Sequence, residues 1–360
     1  MKKLERVYIM AGGTGGHVFP ALATAKVLIE QGVQVKWLGT PQGIESEIVP
    51  RNNLPLFTVA VAGVRGQGIK RLLTAPLRVG AAIFTIWKEF RAFKPQVVLG
   101  LGGFVTGPGG VAAKLAGVPL IIHEQNAIPG FTNKMLARIS KAVYQAFPTA
   151  FPENARTFTI GNPIRQEICQ LPSPDQRFAQ RNGAIKILVL GGSQGAKAIN
   201  ELMPEALARI DLNDRPQVIH QAGKNLIQAT QEKYSALKVA ATVTPFLHDM
   251  AAAYADADLV VCRSGALTVS ELAAAGVGAV LIPFPFAVDD HQTKNAEFLA
   301  NHGAAVLIQQ RDLSAEKLAD LLIKLCQSRE PLLKMANAAR ELAQPQATAK
   351  LVQACVEAAQ

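Results

Sequence analysis

The chain of 360 residues contains only four cysteines, few aromatic residues and no long uninterrupted apolar run. The cysteines, at positions 169, 262, 326 and 355, show neither paired nor metal-type spacing, which indicates a reducing compartment and no structural zinc. The apolar run at residues 7–11 is too short for a signal peptide, and no stretch approaches the length of a membrane span. We therefore expect a cytoplasmic protein that is either soluble or peripherally bound to a membrane.

Charged residues make up only 18% of the chain and aromatic residues 6%, whereas aliphatic residues are abundant. This composition is typical of α/β proteins with buried parallel sheets and excludes a disordered or fibrous chain. The length exceeds the size at which single hydrophobic cores stop growing, so two domains are expected.

Positive charge is concentrated in the first half of the chain. Residues 1–163 carry 18 Lys and Arg against 7 Glu and no Asp, whereas residues 164–360 carry 19 basic against 20 acidic residues. The excess is either a solvated basic face or a surface for an anionic partner, which would be nucleic acid or an anionic membrane.

A strand, a glycine-rich turn and a helix are predicted at the start of the chain. Residues 7–11 form a short apolar run, residues 12–17 read Gly-Gly-Thr-Gly-Gly-His, and apolar residues from Val18 recur at helical spacing until Gly32. Further strands alternating with helical stretches predict a parallel, doubly wound sheet. These strands are predicted at residues 33–38, 57–61, 97–101, 120–123 and 142–146.

The same pattern starts again about half a chain later, at residues 187–190, with a second glycine turn at residues 191–196. Strands are then predicted at residues 218–220, 239–243, 259–261, 280–283 and 305–308. We expect two Rossmann-like domains facing each other across a cleft, because ligands of such sheets bind at the carboxyl ends of the strands. The expected boundaries are 1–163 for the first domain, 164–184 for a polar linker and 185–341 for the second domain, with a helix at 342–360 that can pack back on the first.

Neither glycine turn fits a dinucleotide-binding enzyme. The fingerprint G-x-G-x-x-G requires a third glycine where the first turn has Val18, and the second turn departs from it at Gly192-Ser193. The acidic residue that would hold the ribose at the end of the second strand is also missing from both halves. A dinucleotide dehydrogenase is therefore the less favoured alternative, and a nucleotide-sugar enzyme is the preferred interpretation.

The stretch at residues 262–271, Cys-Arg-Ser-Gly-Ala-Leu-Thr-Val-Ser-Glu, follows a buried strand and starts a helix near Ala266. Free backbone N–H groups and the helix dipole make such a turn an anion site, and we expect it to hold the diphosphate of a sugar nucleotide. Ser264, Thr268 and Ser270 add hydroxyl donors, and Glu271 can accept from sugar hydroxyls. The alternative is an ordinary turn followed by an acid that favours the helix dipole.

Six motifs together resemble the MurG family of transferases with the GT-B fold. They are Gly-Gly-Thr-Gly-Gly-His-Val-Phe-Pro at 12–20, Leu-Gly-Gly-Phe-Val-Thr-Gly-Pro-Gly at 101–109, His-Glu-Gln-Asn at 123–126, Gly-Asn-Pro-Ile-Arg at 161–165, Gly-Gly-Ser-Gln-Gly-Ala at 191–196, and residues 262–271. The resemblance implies transfer of N-acetylglucosamine (GlcNAc) from UDP-GlcNAc to lipid I, undecaprenyl-pyrophosphoryl-MurNAc-pentapeptide, giving lipid II for peptidoglycan. Phe104 stands where some members have Tyr, so no hydroxyl from that position takes part here.

The resemblance also implies a set of substrate-binding residues and no metal or cofactor in the donor site. In the first domain they line the acceptor side, and in the second they hold diphosphate, uracil, ribose and GlcNAc. They are Thr14, Gly15, Gly16, Asn126, Arg165, Ser193, Leu247, Ala266, Leu267, Thr268, Val269, Ser270, Glu271 and Gln292.

An inverting transfer needs a base for the acceptor hydroxyl. The resemblance favours His17 for this role and leaves Glu124 as the reserve base, with His123 as an orienting or simply buried residue. From the residues alone, a single His at a helix start is more often a capping or packing residue than a base. A UDP-GlcNAc 2-epimerase shares the expected fold and donor and is the alternative enzyme. A nucleic-acid-binding module is not favoured, because few aromatic residues accompany the basic ones and no recognition motif appears.

The segment Ile69–Phe93 intersperses basic residues with aliphatic and aromatic ones. It is either a helix buried on all sides or a surface that inserts apolar side chains between lipids while its basic residues attract anionic headgroups. We expect it to place the first domain on the cytoplasmic face of the bacterial inner membrane.

Overall fold

The computed structural model describes residues 3–61, 69–192 and 194–360, although for residues 69–75 only the backbone is described. The chain divides into two compact units, which we call unit 1 (Met1–Ile164 with Gln346–Gln360) and unit 2 (Arg165–Pro345). Each unit contains one parallel sheet with helices on both faces, so the predicted α/β class with two doubly wound sheets is confirmed.

The described residues form thirteen strands and fifteen α-helices. The strands are β1 Arg6–Ala11, β2 Gln34–Gly39, β3 Leu56–Thr58, β4 Val97–Gly102, β5 Leu120–Glu124, β6 Ala142–Gln145, β7 Thr157–Thr159, β8 Lys186–Leu190, β9 Gln217–Gln221, β10 Thr242–Thr244, β11 Leu259–Cys262, β12 Gly278–Leu281 and β13 Ala305–Leu307. The helices are α1 Gly15–Glu30, α2 Glu45–Arg51, α3 Ile69–Phe93, α4 Thr106–Leu115, α5 Phe131–Leu136, α6 Gln166–Cys169, α7 Pro174–Ala179, α8 Lys197–Ala208, α9 Ile227–Ala236, α10 Met250–Asp256, α11 Ala266–Ala275, α12 His291–Ala300, α13 Ala315–Leu325, α14 Arg329–Glu341 and α15 Ala347–Ala358.

The sheet of unit 1 has the strand order β3-β2-β1-β4-β5-β6-β7. Its central strand β1 is buried on both faces: Val7 and Ile9 belong to one apolar core, and Tyr8 and Met10 belong to the other. Successive residues of a strand point to opposite faces, so a continuous apolar run is what a doubly covered strand requires. Helices α1 and α15 supply the core that contains Val7, and α3 and α4 supply the opposite one.

The sheet of unit 2 has the strand order β10-β9-β8-β11-β12-β13. Residues 164–184, predicted to be an aperiodic linker, contain the two short helices α6 and α7. Ser173 caps α7 in a capping box with Gln176, and Phe178 enters the core of unit 2. The serine cap and the proline at the first helical position therefore start a helix here, where the sequence suggested only irregular chain.

Strand order reverses at one place in each sheet, between β1 and β4 in unit 1 and between β8 and β11 in unit 2. The loops that leave neighbouring strands at such a point diverge to opposite faces and leave a crevice at the carboxyl ends. Both glycine turns and residues 262–265 leave the strands at these two points, so they lie where doubly wound sheets bind their ligands.

Candidate active site

The first glycine turn links β1 to α1 and is fixed by a buried carboxylate. Oε2 of Glu45 accepts from the backbone N–H of Gly13 at 3.0 Å, and Oε1 accepts from the backbone N–H and the hydroxyl of Thr40 at 2.8 and 2.7 Å. A side chain at Gly12 or Gly43 would collide with the Glu45 carboxylate. Glu45 therefore holds the turn in shape, a role that the sequence analysis missed because the two residues are 32 positions apart.

Thr14, Gly15 and Gly16 lie where α1 begins, with Thr14 in the N-cap position and exposed. Backbone N–H groups of the first turn have no partner within the helix, so this end of α1 can receive an anion or a hydroxyl oxygen. Pro20 is the sixth residue of α1. The sequence pattern placed the helix start at Val18, three residues too late.

His17 is partly exposed, and its ring lies against the last residue of β4. A Cβ atom on Gly102 would come within 2.8 Å of the imidazole, and Gly102 has a φ of +116° that only glycine adopts readily. Nδ1 of His17 is 2.8 Å from Oε1 of Gln125. The ring is therefore held by the backbone on one face and by a buried amide at one nitrogen.

Gln125 and His123 are both fully buried behind His17. Nε2 of Gln125 lies 3.0 Å from Nδ1 of His123, and Nε2 of His123 lies 2.9 Å from the carbonyl oxygen of Gly161. Burial lowers the pKa of His123 to about 4, with the Gly161 bond opposing that shift, so this imidazole is neutral near pH 7.

Glu124 is almost fully buried and its carboxylate is occupied. Oε1 accepts from the backbone and side-chain N–H groups of Asn126 at 3.0 and 3.3 Å, and Oε2 accepts from the backbone of Gly130 at 3.1 Å and the side chain of Asn133 at 2.8 Å. A carboxylate has about four acceptor positions, and these four donors fill them. Glu124 shapes the loop of residues 125–130, which includes Asn126, and offers no lone pair to a substrate hydroxyl.

In unit 2, α11 begins at Ala266 directly after β11, with Gly265 as its N-cap residue. Ala266 and Val269 are buried, so they can offer a ligand only backbone groups, whereas Leu267 and Thr268 are partly exposed. Two of the predicted hydroxyl donors are less accessible than expected: Ser264 is fully buried, and the hydroxyl of Ser270 donates to the carbonyl of Ala266 at 3.0 Å. The side chain of Thr268 remains the hydroxyl near this helix end.

Glu271 lies in the second turn of α11 and contacts two side chains. Its Oε1 accepts from Arg165 at 2.9 Å, and its Oε2 accepts from the hydroxyl of Tyr254 at 3.1 Å. Tyr254 is fully buried; burial raises its phenol pKa well above the ordinary value, and the charge of Glu271 adds to this shift, so the hydroxyl keeps its proton. One lone pair on each oxygen is left for a pair of sugar hydroxyls. Tyr254, the donor that orients Glu271, was not predicted from the sequence, because the two residues lie on different helices.

Two further predicted residues lie in unit 2 in the segments that follow strands. Leu247, after β10, is partly exposed, and Gln292 is the second residue of α12. Oε1 of Gln292 accepts from the backbone N–H of Phe284 at 2.9 Å, which turns the amide so that its NH₂ group is the end available to a sugar hydroxyl. Ser193 lies outside the described residues.

A separate surface on unit 1 is formed by one face of α3. Ala82, Ile86 and Phe90 are buried against the core, whereas Leu77 and Phe84 are 78% and 54% exposed. The side chains of Arg78, Lys88 and Arg91 are exposed beside them, and the Lys88 ammonium lies 4.5 Å from the centre of the Phe84 ring. The predicted residues Ile69, Lys70, Arg71, Leu72 and Leu73 have side chains outside the described part. Among the described residues, no helix is long and apolar enough to cross a bilayer.

Comparison with known proteins gives consistent results over nearly the whole chain. Residues 7–145 match the glycosyltransferase family 28 N-terminal domain, and residues 186–352 match the glycosyltransferase family 28 C-terminal domain. A Pseudomonas paraeruginosa protein named UDP-N-acetylglucosamine--N-acetylmuramyl-(pentapeptide) pyrophosphoryl-undecaprenol N-acetylglucosamine transferase is 52% identical over 353 residues, covering 98% of both chains. The crystal structure of MurG from Acinetobacter baumannii is similar with a TM-score of 0.87 and 44% identity, covering 98% of this chain and 99% of that one.

A solved UDP-N-acetylglucosamine 2-epimerase also has a similar structure, with a TM-score of 0.65 over 97% of this chain and 95% of the other. Its sequence identity is only 14%, so this likeness shows a shared fold and nothing about the reaction.

Proposed function

The chain belongs to the MurG family within glycosyltransferase family 28, and on that premise we propose that it transfers GlcNAc from UDP-GlcNAc to the 4-hydroxyl of MurNAc in lipid I. The product is lipid II, the precursor of peptidoglycan. The observation that carries this proposal is 52% identity over almost the full length of a protein named for that transfer. The epimerase alternative has only the shared fold in its favour.

Unit 2 has the groups that a UDP-GlcNAc donor needs. The start of α11 offers backbone N–H groups and the positive end of a helix dipole to the diphosphate, with Thr268 beside it. Glu271 accepts from the ribose hydroxyls, Gln292 donates to GlcNAc hydroxyls and Leu247 contacts the uracil. Arg165 donates to Glu271 and is about half exposed, and we propose that it turns towards the diphosphate to offset the charge that develops on departing UDP.

Unit 1 supplies the base in this proposal. His17 is partly exposed at the start of α1, and its Nδ1 already has a partner, which leaves Nε2 to remove the proton from the acceptor hydroxyl. The four hydrogen bonds to Glu124 argue against this carboxylate as the base. Thr14, Gly15, Gly16 and Asn126 lie on the same edge of the sheet and are proposed to line the acceptor side.

We also propose that the exposed face of α3 binds the cytoplasmic surface of the inner membrane. Leu77 and Phe84 are exposed large apolar side chains within a basic surround, which is the arrangement expected of an interfacial segment. Attraction of each basic residue to anionic lipid contributes about 1 kcal/mol close to the surface. Docking there would bring unit 1 to an acceptor whose undecaprenyl tail stays in the bilayer. Nucleic acid is not part of this proposal.

The direct test is incubation of the protein with labelled UDP-GlcNAc and a lipid I analogue, followed by separation of the products. We expect label in a disaccharide-bearing lipid and an equal amount of UDP, both dependent on the acceptor. Incubation without the acceptor is the control, because an epimerase would convert UDP-GlcNAc to its 2-epimer under those conditions. Conversion of the donor without acceptor, and no labelled lipid with it, would refute the transferase assignment.

A further inference from the structure

A chain of hydrogen bonds links His17 through Gln125 and His123 to the backbone carbonyl of Gly161, and it determines which ring nitrogen of His17 carries the hydrogen. The carbonyl oxygen of Gly161 can only accept, so Nε2 of His123, 2.9 Å away, must carry the hydrogen. Since the His123 imidazole is neutral, its other nitrogen Nδ1 has a bare lone pair and requires a donor.

That donor is the side-chain amide of Gln125. Its NH₂ group lies 3.0 Å from Nδ1 of His123 and 3.1 Å from the backbone carbonyl oxygen of the same residue. Rotating the amide by half a turn would put its oxygen against two acceptors, which is repulsive in a site with no solvent exposure. The orientation of Gln125 is therefore fixed by chemistry, with Oε1 towards His17.

Oε1 of Gln125 accepts, so Nδ1 of His17 must donate across their 2.8 Å contact. A neutral imidazole carries one hydrogen, and with that hydrogen on Nδ1 the lone pair is on Nε2. Gly102 packs against the same ring and prevents it from tilting away. When His17 takes up a proton at Nε2, the bond from Nδ1–H to Gln125 remains and the amide dipole stabilises the new positive charge.

We propose that Gln125 is a positioning residue that holds His17 in the tautomer with the hydrogen on Nδ1, and that His123 acts through Gln125. This inference rests on the proposed function for its catalytic meaning, and its structural content can be tested without any assay of transfer. The partner of His17 is a neutral amide, where serine hydrolases place a carboxylate.

The first experiment is a long-range ¹H–¹⁵N spectrum of the full chain labelled with ¹⁵N-histidine, near pH 7. The chain has six histidines, and the signals of His17 and His123 are assigned by their loss in His17→Ala and His123→Asn variants. We expect His17 with the hydrogen on Nδ1 and His123 with it on Nε2. A wild-type His17 with the hydrogen on Nε2 overturns the inference, and this measurement does not depend on any variant folding at position 125.

The second experiment compares the Gln125→Met variant with the wild-type protein. Methionine keeps the length of the side chain but cannot accept a hydrogen bond from His17 or donate one to His123. We expect kcat to fall about 10- to 100-fold, part of the 10²- to 10⁴-fold that a general base contributes, with the Michaelis constant for UDP-GlcNAc nearly unchanged. The His17 signal should also lose its Nδ1–H character.

Gln145→Met is the matched control, because Gln145 is an equally buried glutamine at the end of the neighbouring strand β6, with bonds to Thr159 and Phe151. It should lose stability to a similar degree, with kcat and the His17 tautomer as in wild type. Equal losses of kcat in both variants, or a normal kcat in Gln125→Met, overturn the positioning role. Absence of any transfer by the wild type, with His17 protonated on Nδ1, counts against the proposed function and leaves the tautomer assignment standing.

Discussion

His123 in unit 1 and His220 in unit 2 are both fully buried near the carboxyl end of a parallel strand, and burial lowers the pKa of each to about 4. Each is bonded to a side-chain amide, Gln125 at 3.0 Å and Asn200 at 3.0 Å. The two amides differ in their second hydrogen-bond partner. Gln125 accepts from the partly exposed ring of His17, whereas Asn200 donates to the backbone carbonyl of Ala222 at 2.9 Å.

The hydrogen-bond network of His220 and Asn200 in unit 2 therefore ends at a backbone group, the carbonyl of Ala222. A side chain at Gly195 would collide with the carbonyl of Ala222, and one at Gly223 would collide with the backbone of Gly195, so the second glycine turn packs directly on the segment that Asn200 fixes. Ala196 ends the glycine turn of unit 2, at the position where the equivalent turn of unit 1 has the ionisable ring of His17. In the proposed mechanism the same topology serves donor binding in unit 2 and proton transfer in unit 1, and the glycine patterns alone do not show the difference.

The largest difference between the two units should be seen when the imidazole ring of His17 is removed. His17→Ala should lower kcat by about 10²- to 10⁴-fold while the affinity for UDP-GlcNAc stays near wild type, because a general base acts in the transition state. Steady-state kinetics with a lipid I analogue, together with calorimetric binding of UDP, measure both quantities. A raised Michaelis constant for the donor at normal turnover would instead make His17 a binding residue and return Glu124 to consideration as the base.

The corresponding change in unit 2 should affect binding. Glu271→Ala removes an acceptor for two ribose hydroxyls, and charge-assisted bonds contribute about 1.5–3 kcal/mol each, so the affinity for UDP should fall about tenfold or more. Tyr254→Phe is the graded control, since it keeps the carboxylate and removes only the bond that orients it. An unchanged dissociation constant for Glu271→Ala by calorimetry, with a normal circular dichroism spectrum, would remove Glu271 from the site.

Most of the fold could be predicted because its strands are short apolar runs, such as residues 7–11, bounded by glycine. Strand β7 was missed because it has only three residues, Thr-Phe-Thr, at the edge of the sheet, where Phe158 is about half exposed. Helix α7 was not predicted, although the capping pair Ser173 and Gln176 is visible in the sequence, because prolines flank Ser173 and are typical of irregular chain.

Only those residues of the site that belong to contiguous sequence motifs could be predicted. The glycine turns, His17 and Glu271 belong to contiguous motifs, and the sequence places them on the correct edge of each sheet. The partners that orient them are distant in sequence: Gln125 is 108 positions from His17, and Tyr254 is 17 positions from Glu271 on a different helix. Whether a buried polar group is a base or a support depends on its donors, as the four bonds to Glu124 illustrate.

A smaller effect is expected from the amide network of unit 2. Asn200→Leu leaves His220 and the carbonyl of Ala222 without their buried partner, which should cost about 1–3 kcal/mol of the free energy of unfolding. Urea unfolding measures this loss. Turnover at saturating donor should stay close to wild type, in contrast with Gln125→Met, because no ring nitrogen in unit 2 faces the acceptor in the proposed mechanism. A fall in kcat as large as that of Gln125→Met would mean that the two networks do not differ in the way proposed.

The smallest expected effect concerns the charge difference between the two units. Arg78→Glu on the exposed face of α3 should weaken binding to vesicles rich in phosphatidylglycerol about fivefold or more, because each basic residue near an anionic surface contributes about 1 kcal/mol and the reversal adds repulsion. Vesicle flotation at low and high salt measures the change, and the salt dependence should be smaller in the variant.

Arg311→Glu is the matched control, since Arg311 is an exposed arginine of unit 2 and its reversal changes the net charge equally. If both variants bind as wild type does, or both weaken alike, binding depends on net charge or on another surface and α3 is not the docking site. If Arg78→Glu alone weakens binding, Leu77→Ser with Phe84→Ser should weaken it further even at high salt, because insertion of apolar side chains does not depend on charge.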